Sequence, residues 1–292
     1  MAALSDLPQL QTVPEARIAV LGGTHLNDAI FDFGGLTGWF GIDTPAGPSP
    51  RFYYGETGGV GYYYTHFHGE GKWVETWLAL ETLGVTDALG GATAGGVNPA
   101  MKLYDFVVPD DFIDLNIDRP PGIPMEYLPN PHTAYPRFVP AMDEPLRQIL
   151  IEETRRAIRP NRDFDDINIH VRGVSCQTRG GRFETEAEIA MLRQQGADLV
   201  TMNVGTEIAY ARQLGIHFAV LHIISNPAEG IAPWTWKDMH STYPRLNPVA
   251  VEITLAAIRR IAALPADTPR SGDAQREHPP LSYKTPLPDK FK

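Results

Sequence analysis

Apolar positions repeat along this chain with two periods, and the two alternate. Arg17 to Leu21 is a short β-rich run that breaks at Gly22-Gly23-Thr24, predicting a strand that enters a tight turn. Residues 31 to 71 are crowded with glycine and aromatics: Phe31-Asp32-Phe33-Gly34-Gly35, Tyr53-Tyr54 and Tyr62-Tyr63-Tyr64. That texture predicts short strands joined as hairpins. Between Lys72 and Leu83 the period changes. Trp73, Trp77 and Leu80 share one helical face, and Gly84 stands where a C-cap is needed. Val85 to Leu89 and Leu103 to Val108 read as strands.

The second half repeats the alternation. Asp143 to Ile158 reads as a helix stopped by Pro160, and Ile169 to Ser175 as a strand. Thr185-Glu186-Ala187-Glu188 is a capping box that opens a helix with Ile189 and Leu192 inward. A strand over Asp198 to Met202, a helix over Thr206 to Leu214 with Gly215 behind it, and a buried strand over His217 to Ser225 follow. Asn247 and Pro248 read as N-cap and first residue of a last helix, with Val251, Leu255, Ile258 and Ala262 as its apolar stripe. Strand–helix alternation predicts an α/β fold with a mixed or parallel sheet. The expected organisation is one domain over residues 12–264, after a leader arm. Residues 265–292, rich in Pro, Ser and charge, read as a tail.

Composition narrows the function classes. Of 292 residues 43% are apolar, and the formal net charge is −10. The densest basic run, Arg155, Arg156, Arg159 and Arg162, is flanked by Glu152, Glu153, Asp163, Asp165 and Asp166, so it is a solvated helix end and not a nucleic-acid footprint. No apolar stretch approaches the roughly 20 residues of a membrane span. Met1 to Gln11 lacks a basic segment followed by an apolar one, so a cytoplasmic protein is expected. Cys176 is the lone cysteine and reads as a small buried apolar residue.

Several segments carry candidate chemistry. Gly22-Gly23-Thr24 is either a structural turn or an anion site. His66-Phe67-His68 with Glu70 would, on a strand, bring two imidazoles and a carboxylate to one face, able to bind a metal, bind an anion or move protons. Ala92 to Pro99 leaves room beside exposed N–H groups. Phe183-Glu184 sets an aromatic face and an acceptor before a capped helix, which suits a heterocyclic base. Asn226, after Ser225 at the end of a buried strand, can donate and accept at a ring edge. His217 and His222 read as core histidines.

In this order, from about Arg17 to Leu264, these segments resemble the purine nucleoside and methylthioadenosine phosphorylase family. Val20-Leu21-Gly22-Gly23-Thr24 is similar to its phosphate turn. His66-Phe67-His68-Gly69-Glu70-Gly71 is similar to its Arg-Phe-His segment with Glu-Gly. Ala94-Gly95-Gly96-Val97-Asn98-Pro99 resembles its Ala-Gly-Gly-Leu-Asn-Pro. Arg137 to Met142 resembles the segment whose Phe, here Phe138, caps a neighbouring subunit's site. Phe183-Glu184-Thr185, Gly196 to Met202 with Glu207, and Ser225-Asn226 complete the likeness.

The resemblance implies a phosphorylase-type fold with a central mixed sheet flanked by helices, a homotrimer, no cofactor, and cleavage of an N-glycosidic bond of a small-molecule nucleoside with phosphate as co-substrate. It implies Asn226, Glu184 and His68 as catalytic groups, and Phe183, Met202, Phe138, Glu207, Ala94 and Gly95 around the substrate. Thr24, His66, His68, Thr93 and Asn203 form the implied anion pocket, with no metal. Two positions depart from the family: His66 replaces an Arg, and Asn203 replaces a Ser or Thr. An Arg binds phosphate bidentately and is always charged. Arg51 or Arg182 is then expected to supply the charge. Otherwise the acceptor is water, the pocket is repurposed for a non-nucleoside aromatic substrate, with a metal at His66 and His68, or the protein is a binding protein without catalysis. Asn226, where an Asp would mark other members, leans toward a 6-oxopurine ring.

Overall fold

The computed structural model of the chain describes residues 7–271. Its centre is β7 (Asp87–Gly96), which pairs in parallel with β1 (Ile18–Leu21) on one side and β13 (His217–Pro227) on the other. β6 (Val60–Thr65) extends the sheet in parallel beyond β1, and β5 (Phe52–Thr57) and β2 (Leu36–Phe40) follow as an antiparallel meander. This is the aromatic, glycine-rich region expected to form hairpins. β8 (Phe106–Val107) and β10 (Ile169–His170) close the far edge. At its carboxyl end β7 takes an additional antiparallel partner, β12 (Leu199–Thr201), which carries β11 (Val174–Gln177) and β9 (Asp111–Asp114). The mixed sheet expected from the sequence is therefore present.

Helices cover both faces. α3 (Glu144–Ile158) and α6 (Trp236–Ala262) pack on one apolar layer that includes Leu146, Leu150, Val251 and Ile258. α2 (Trp73–Thr82) and α5 (Val204–Gln213) cover the other through Trp77, Leu80, Ile208 and Tyr210. The short α1 (Ala29–Phe33) follows β1, and α4 (Glu186–Gln194) opens on the predicted capping box, made reciprocally by Thr185 and Glu188. Cys176 is buried, and that burial pushes its thiol up to about 12, far from a nucleophile's range.

Three element boundaries differ from the sequence reading. β7 does not stop at Leu89 but runs on to Gly96, because parallel pairing with β13 holds the small residues in register. The strand expected over Ile169 to Ser175 is two strands, β10 and β11, interrupted at Val171–Gly173. The largest difference is α6. It starts at Trp236, capped by Thr235 with Asp238 in a reciprocal box, and both Pro244 and Pro248 lie inside it. Asn247 is a buried interior residue and not an N-cap. Each proline removes one backbone bond, but the buried face formed by Met239, Thr242, Leu246, Ala250 and Val251 holds the helix together through them.

The segments outside the predicted domain are tied to it where they are described. Leu10 N–H donates to the Trp39 carbonyl at 2.8 Å and Trp39 N–H to the Pro8 carbonyl at 2.9 Å, so the leader arm lies along β2. Arg270, in the expected tail, bonds both Asp87 and Asp143. The rest of that tail, 272–292, lies outside the described residues.

Candidate functional site

The cleft opens where the strands end. Gly23 and Thr24 follow β1, His66 and His68 follow β6, and Ala92 to Gly95 close β7. Arg179 to Gly181 follow β11, Met202 and Asn203 follow β12, and Ser225 and Asn226 close β13. These groups surround a cavity of about 430 Å³. Ligand sites beyond the carboxyl ends of strands are the rule for such sheets. Gly23 is needed because the turn lies against β7: a Cβ there would sit 2.4 Å from the Gly91 carbonyl oxygen.

The residues expected for an anion pocket, Thr24, His66, His68, Thr93 and Asn203, all line this cleft. Thr24 and Thr93 hydroxyls are 2.6 Å apart, and Thr93 N–H donates to Thr24 Oγ1 at 3.0 Å. His66 and His68 face the same space, with ring centroids 5.7 Å apart. They do not achieve this as alternate residues of a strand, since β6 ends at Thr65 and both lie in the loop after it. The turn closed by Glu70 N–H onto the Phe67 carbonyl leaves Glu70 exposed and outside the cleft lining. Among the described residues no group of three or more His, Cys, Asp or Glu is placed to hold a metal. His66 is held below the ordinary imidazole pKa of 6.5, first by desolvation and then by the neighbouring His68.

His68 is anchored from behind. Its Nε2 lies 2.6 Å from Oε1 of Glu207, a residue of α5 that is 1% exposed. Asn203 Nδ2 donates to the same oxygen at 3.1 Å. The 3.0 Å between Asn203 Nδ2 and His68 Nε2 is then a contact of two donors sharing one acceptor. With Nε2–H committed to Glu207, the other ring nitrogen is the one available for chemistry. Asn203 occupies the N-cap of α5 but makes no capping bond, which frees its amide for this role. Glu207 itself does not line the cleft. The sequence placed it around the substrate. The structure puts it behind His68, because the buried side of α5 points away from the cavity.

Phe183, Glu184 and Asn226 line the same cleft. Glu184 Oε1 accepts from the Thr178 hydroxyl. Asn226 is 3% exposed; its Oδ1 accepts from Ser225 Oγ at 3.0 Å and its Nδ2 donates to the Pro227 carbonyl at 2.9 Å. One amide N–H is left for a ligand. A register shift between Ile224 and Asn226 turns this side chain into the cavity. Trp234 and Trp236 pack on Phe183 at 5.5 and 5.7 Å and fix its ring. Met202, 37% exposed, Ala94 and Gly95 also line the cleft.

Some expected groups are elsewhere. Phe138 is not in this chain's own cleft; it packs edge-on against Phe112 at 5.4 Å with Arg212 over its ring. Arg51 stacks on Trp39 at 4.2 Å, and Arg182 pairs with Glu188 at 2.8 Å; neither lines the cleft. Arg119 and Arg179 do line it, as do Glu229, Met239 and Tyr243. None of these was read from the sequence. Met239 and Tyr243 belong to the first turns of α6, lost when the helix start was set at Asn247; Thr235 and Asp238 were the available signal.

The Phosphorylase superfamily profile matches residues 17–259. The chain belongs to that superfamily. Superfamily relatives include a probable 6-oxopurine nucleoside phosphorylase of Moorella thermoacetica, 30% identical over 230 residues, which span 74% of this chain and 81% of that protein. The 6-oxopurine nucleoside phosphorylase of Pyrococcus furiosus is 33% identical over 188 residues, 62% of this chain and 67% of that one. Among solved structures, an adenosine/methylthioadenosine phosphorylase of Schistosoma mansoni in complex with adenine matches with a TM-score of 0.77 at 22% identity, over 90% of this chain and 97% of that one. At that identity the match speaks to the fold. This superfamily member is thus an enzyme with the expected phosphorylase-type architecture. None of its described helices is long and apolar enough to cross a membrane.

Proposed function

We propose that this enzyme cleaves the N-glycosidic bond of a 6-oxopurine nucleoside, with phosphate as the acceptor. The observation that carries the reading is that Glu184 and Asn226 line the same cleft as Thr24, Thr93, His66, His68 and Asn203. A base and an oxyanion are then held on either side of one anomeric carbon. A phosphate oxygen bonds to C1′ while the C1′–N9 electron pair leaves with the purine, and the sugar passes through an oxocarbenium-like state. Glu184 accepts from a ring N–H and orients the base, and the free Asn226 N–H donates to the base and stabilises the negative charge that develops on it. An amide there donates to a 6-oxo oxygen or ring nitrogen, which a carboxylate does not. The Moorella and Pyrococcus relatives, both named for 6-oxopurine nucleosides, support the same substrate class.

The reading includes no cofactor beyond phosphate, a cytoplasmic location and a homotrimer. The trimer is supported by the surface around Phe138, where Tyr135 and Val139 are 88% and 85% exposed. Turnover of inosine, guanosine and methylthioadenosine with and without phosphate tests the reaction. Light scattering tests the assembly, and a monomer at micromolar concentration contradicts it.

A further inference from the structure

The position at which the family carries a permanent charge holds His66, yet the cleft contains a guanidinium from another element. Arg119 sits in the loop after β9. Its carbon Cζ lies over the Trp73 ring, 3.7 Å from the centroid. Nη2 donates to the Met202 carbonyl. Nη1 is shielded from solvent and has no acceptor among the described residues. A buried, charged N–H without an acceptor is costly, and its residue lines the cavity together with Asn203, His66 and His68. The carboxylates around Arg119 offset its charge from a distance, and none accepts from Nη1. Asp118 pairs with Arg179, Asp114 accepts from Asn116 N–H, and Glu207 Oε1 is occupied by His68 and Asn203, while its Oε2 is buried without a partner. Tyr210 donates its hydroxyl to the Pro120 carbonyl.

We propose that Arg119 supplies the permanent positive charge of the anion pocket, its Nη1 receiving an oxyanion beside His68 and Asn203. The oxyanion is either free phosphate or an anionic group carried on the sugar of the nucleoside. Trp73 and the Met202 carbonyl fix the fork before the ligand arrives. In this arrangement the loss of Arg at position 66 relocates the charge and does not abolish it. The inference rests on the proposed phosphorolysis only for its first source of anion.

The test compares wild type with Arg119→Met and Arg119→Gln. Calorimetry with inorganic phosphate, without nucleoside, reads anion binding whether or not any nucleoside is cleaved. A fall of roughly 10-fold or more in phosphate affinity, with a parallel rise in phosphate KM and little change in inosine KM, assigns free phosphate to Arg119. Unchanged phosphate binding with a similar fall in affinity for inosine 5′-monophosphate assigns the substrate-borne anion. Unchanged binding of both overturns the proposal. So does loss of the folded state in both variants by circular dichroism, which makes Arg119 a scaffold residue. Phosphate binding that depends on Arg119 in a protein that cleaves no nucleoside separates failure of the proposed function from failure of this inference.

Discussion

Glu207 holds His68 without entering the cleft: the carboxylate oxygen lies 2.6 Å from the ring and is buried at its back. The pair makes His68 an oriented group with one ring nitrogen committed and the other free. Glu207→Gln keeps the shape and removes the charge. Partners that orient a functional imidazole are typically worth about 10-fold to 100-fold, so kcat is expected to fall by that much, with a changed pH profile and a folded protein. Unaltered kcat and profile would show that His68 does not need this partner.

The base end makes an independent prediction. Glu184→Gln and Asn226→Ala should each lower turnover by roughly 10²-fold, as for loss of a positioned electrostatic group. Thr178→Val should act in the same direction and more weakly, because the Thr178 hydroxyl donates to Glu184. Steady-state kinetics on inosine check all three. Wild-type rates in both Glu184→Gln and Asn226→Ala would remove the purine site from this end of the cleft.

His66 gives anion binding a pH dependence that an arginine would not. Desolvation and His68 lower its pKa below 6.5, so the imidazolium is scarce at neutral pH and grows only as pH falls below that value. Its help to anion binding is therefore weak near pH 7 and grows toward acid. Sulfate, which stays fully ionised in this range, is the suitable competitor against phosphate. Wild type should show tighter sulfate inhibition as pH drops, and His66→Arg should show tight inhibition with less pH dependence. Equal slopes in the two proteins would take His66 out of the pocket.

Arg270 gives a stability prediction. It bonds Asp143, fully buried, and Asp87, also buried, and Ser271 N–H reaches Asp143 at 3.1 Å. Removing the partner of a buried charge costs about 3 kcal/mol or more. Arg270→Ala, and likewise truncation after Leu264, should lower stability by that order in urea unfolding, whereas Arg270→Lys should retain part of it. Wild-type stability for both would show that the start of the tail contributes nothing to the fold.

Elements with a strong local signature were legible: the Thr185 capping box, the Trp73–Trp77–Leu80 face and the buried run into Asn226 all stand where their patterns put them. Residues that owe their place to a neighbour were not. Asn247-Pro248 has the local form of a helix start, and the packing of Leu246, Ala250 and Val251 in the apolar layer carries α6 through it. Arg119 lies in Asp118-Arg119-Pro120-Pro121, which has no period and no motif; its role comes from Trp73 and Met202, far away in sequence. The convergence of His66 and His68 was legible as proximity, while the loop geometry that produces it and excludes Glu70 was not.

The central claim is that this cleft joins a purine end to a phosphate end. The most direct measurement is the product of inosine cleavage, followed with and without phosphate and resolved into free ribose and ribose 1-phosphate. The account predicts cleavage that requires phosphate and yields hypoxanthine with ribose 1-phosphate. Cleavage to free ribose at a rate indifferent to phosphate would contradict it.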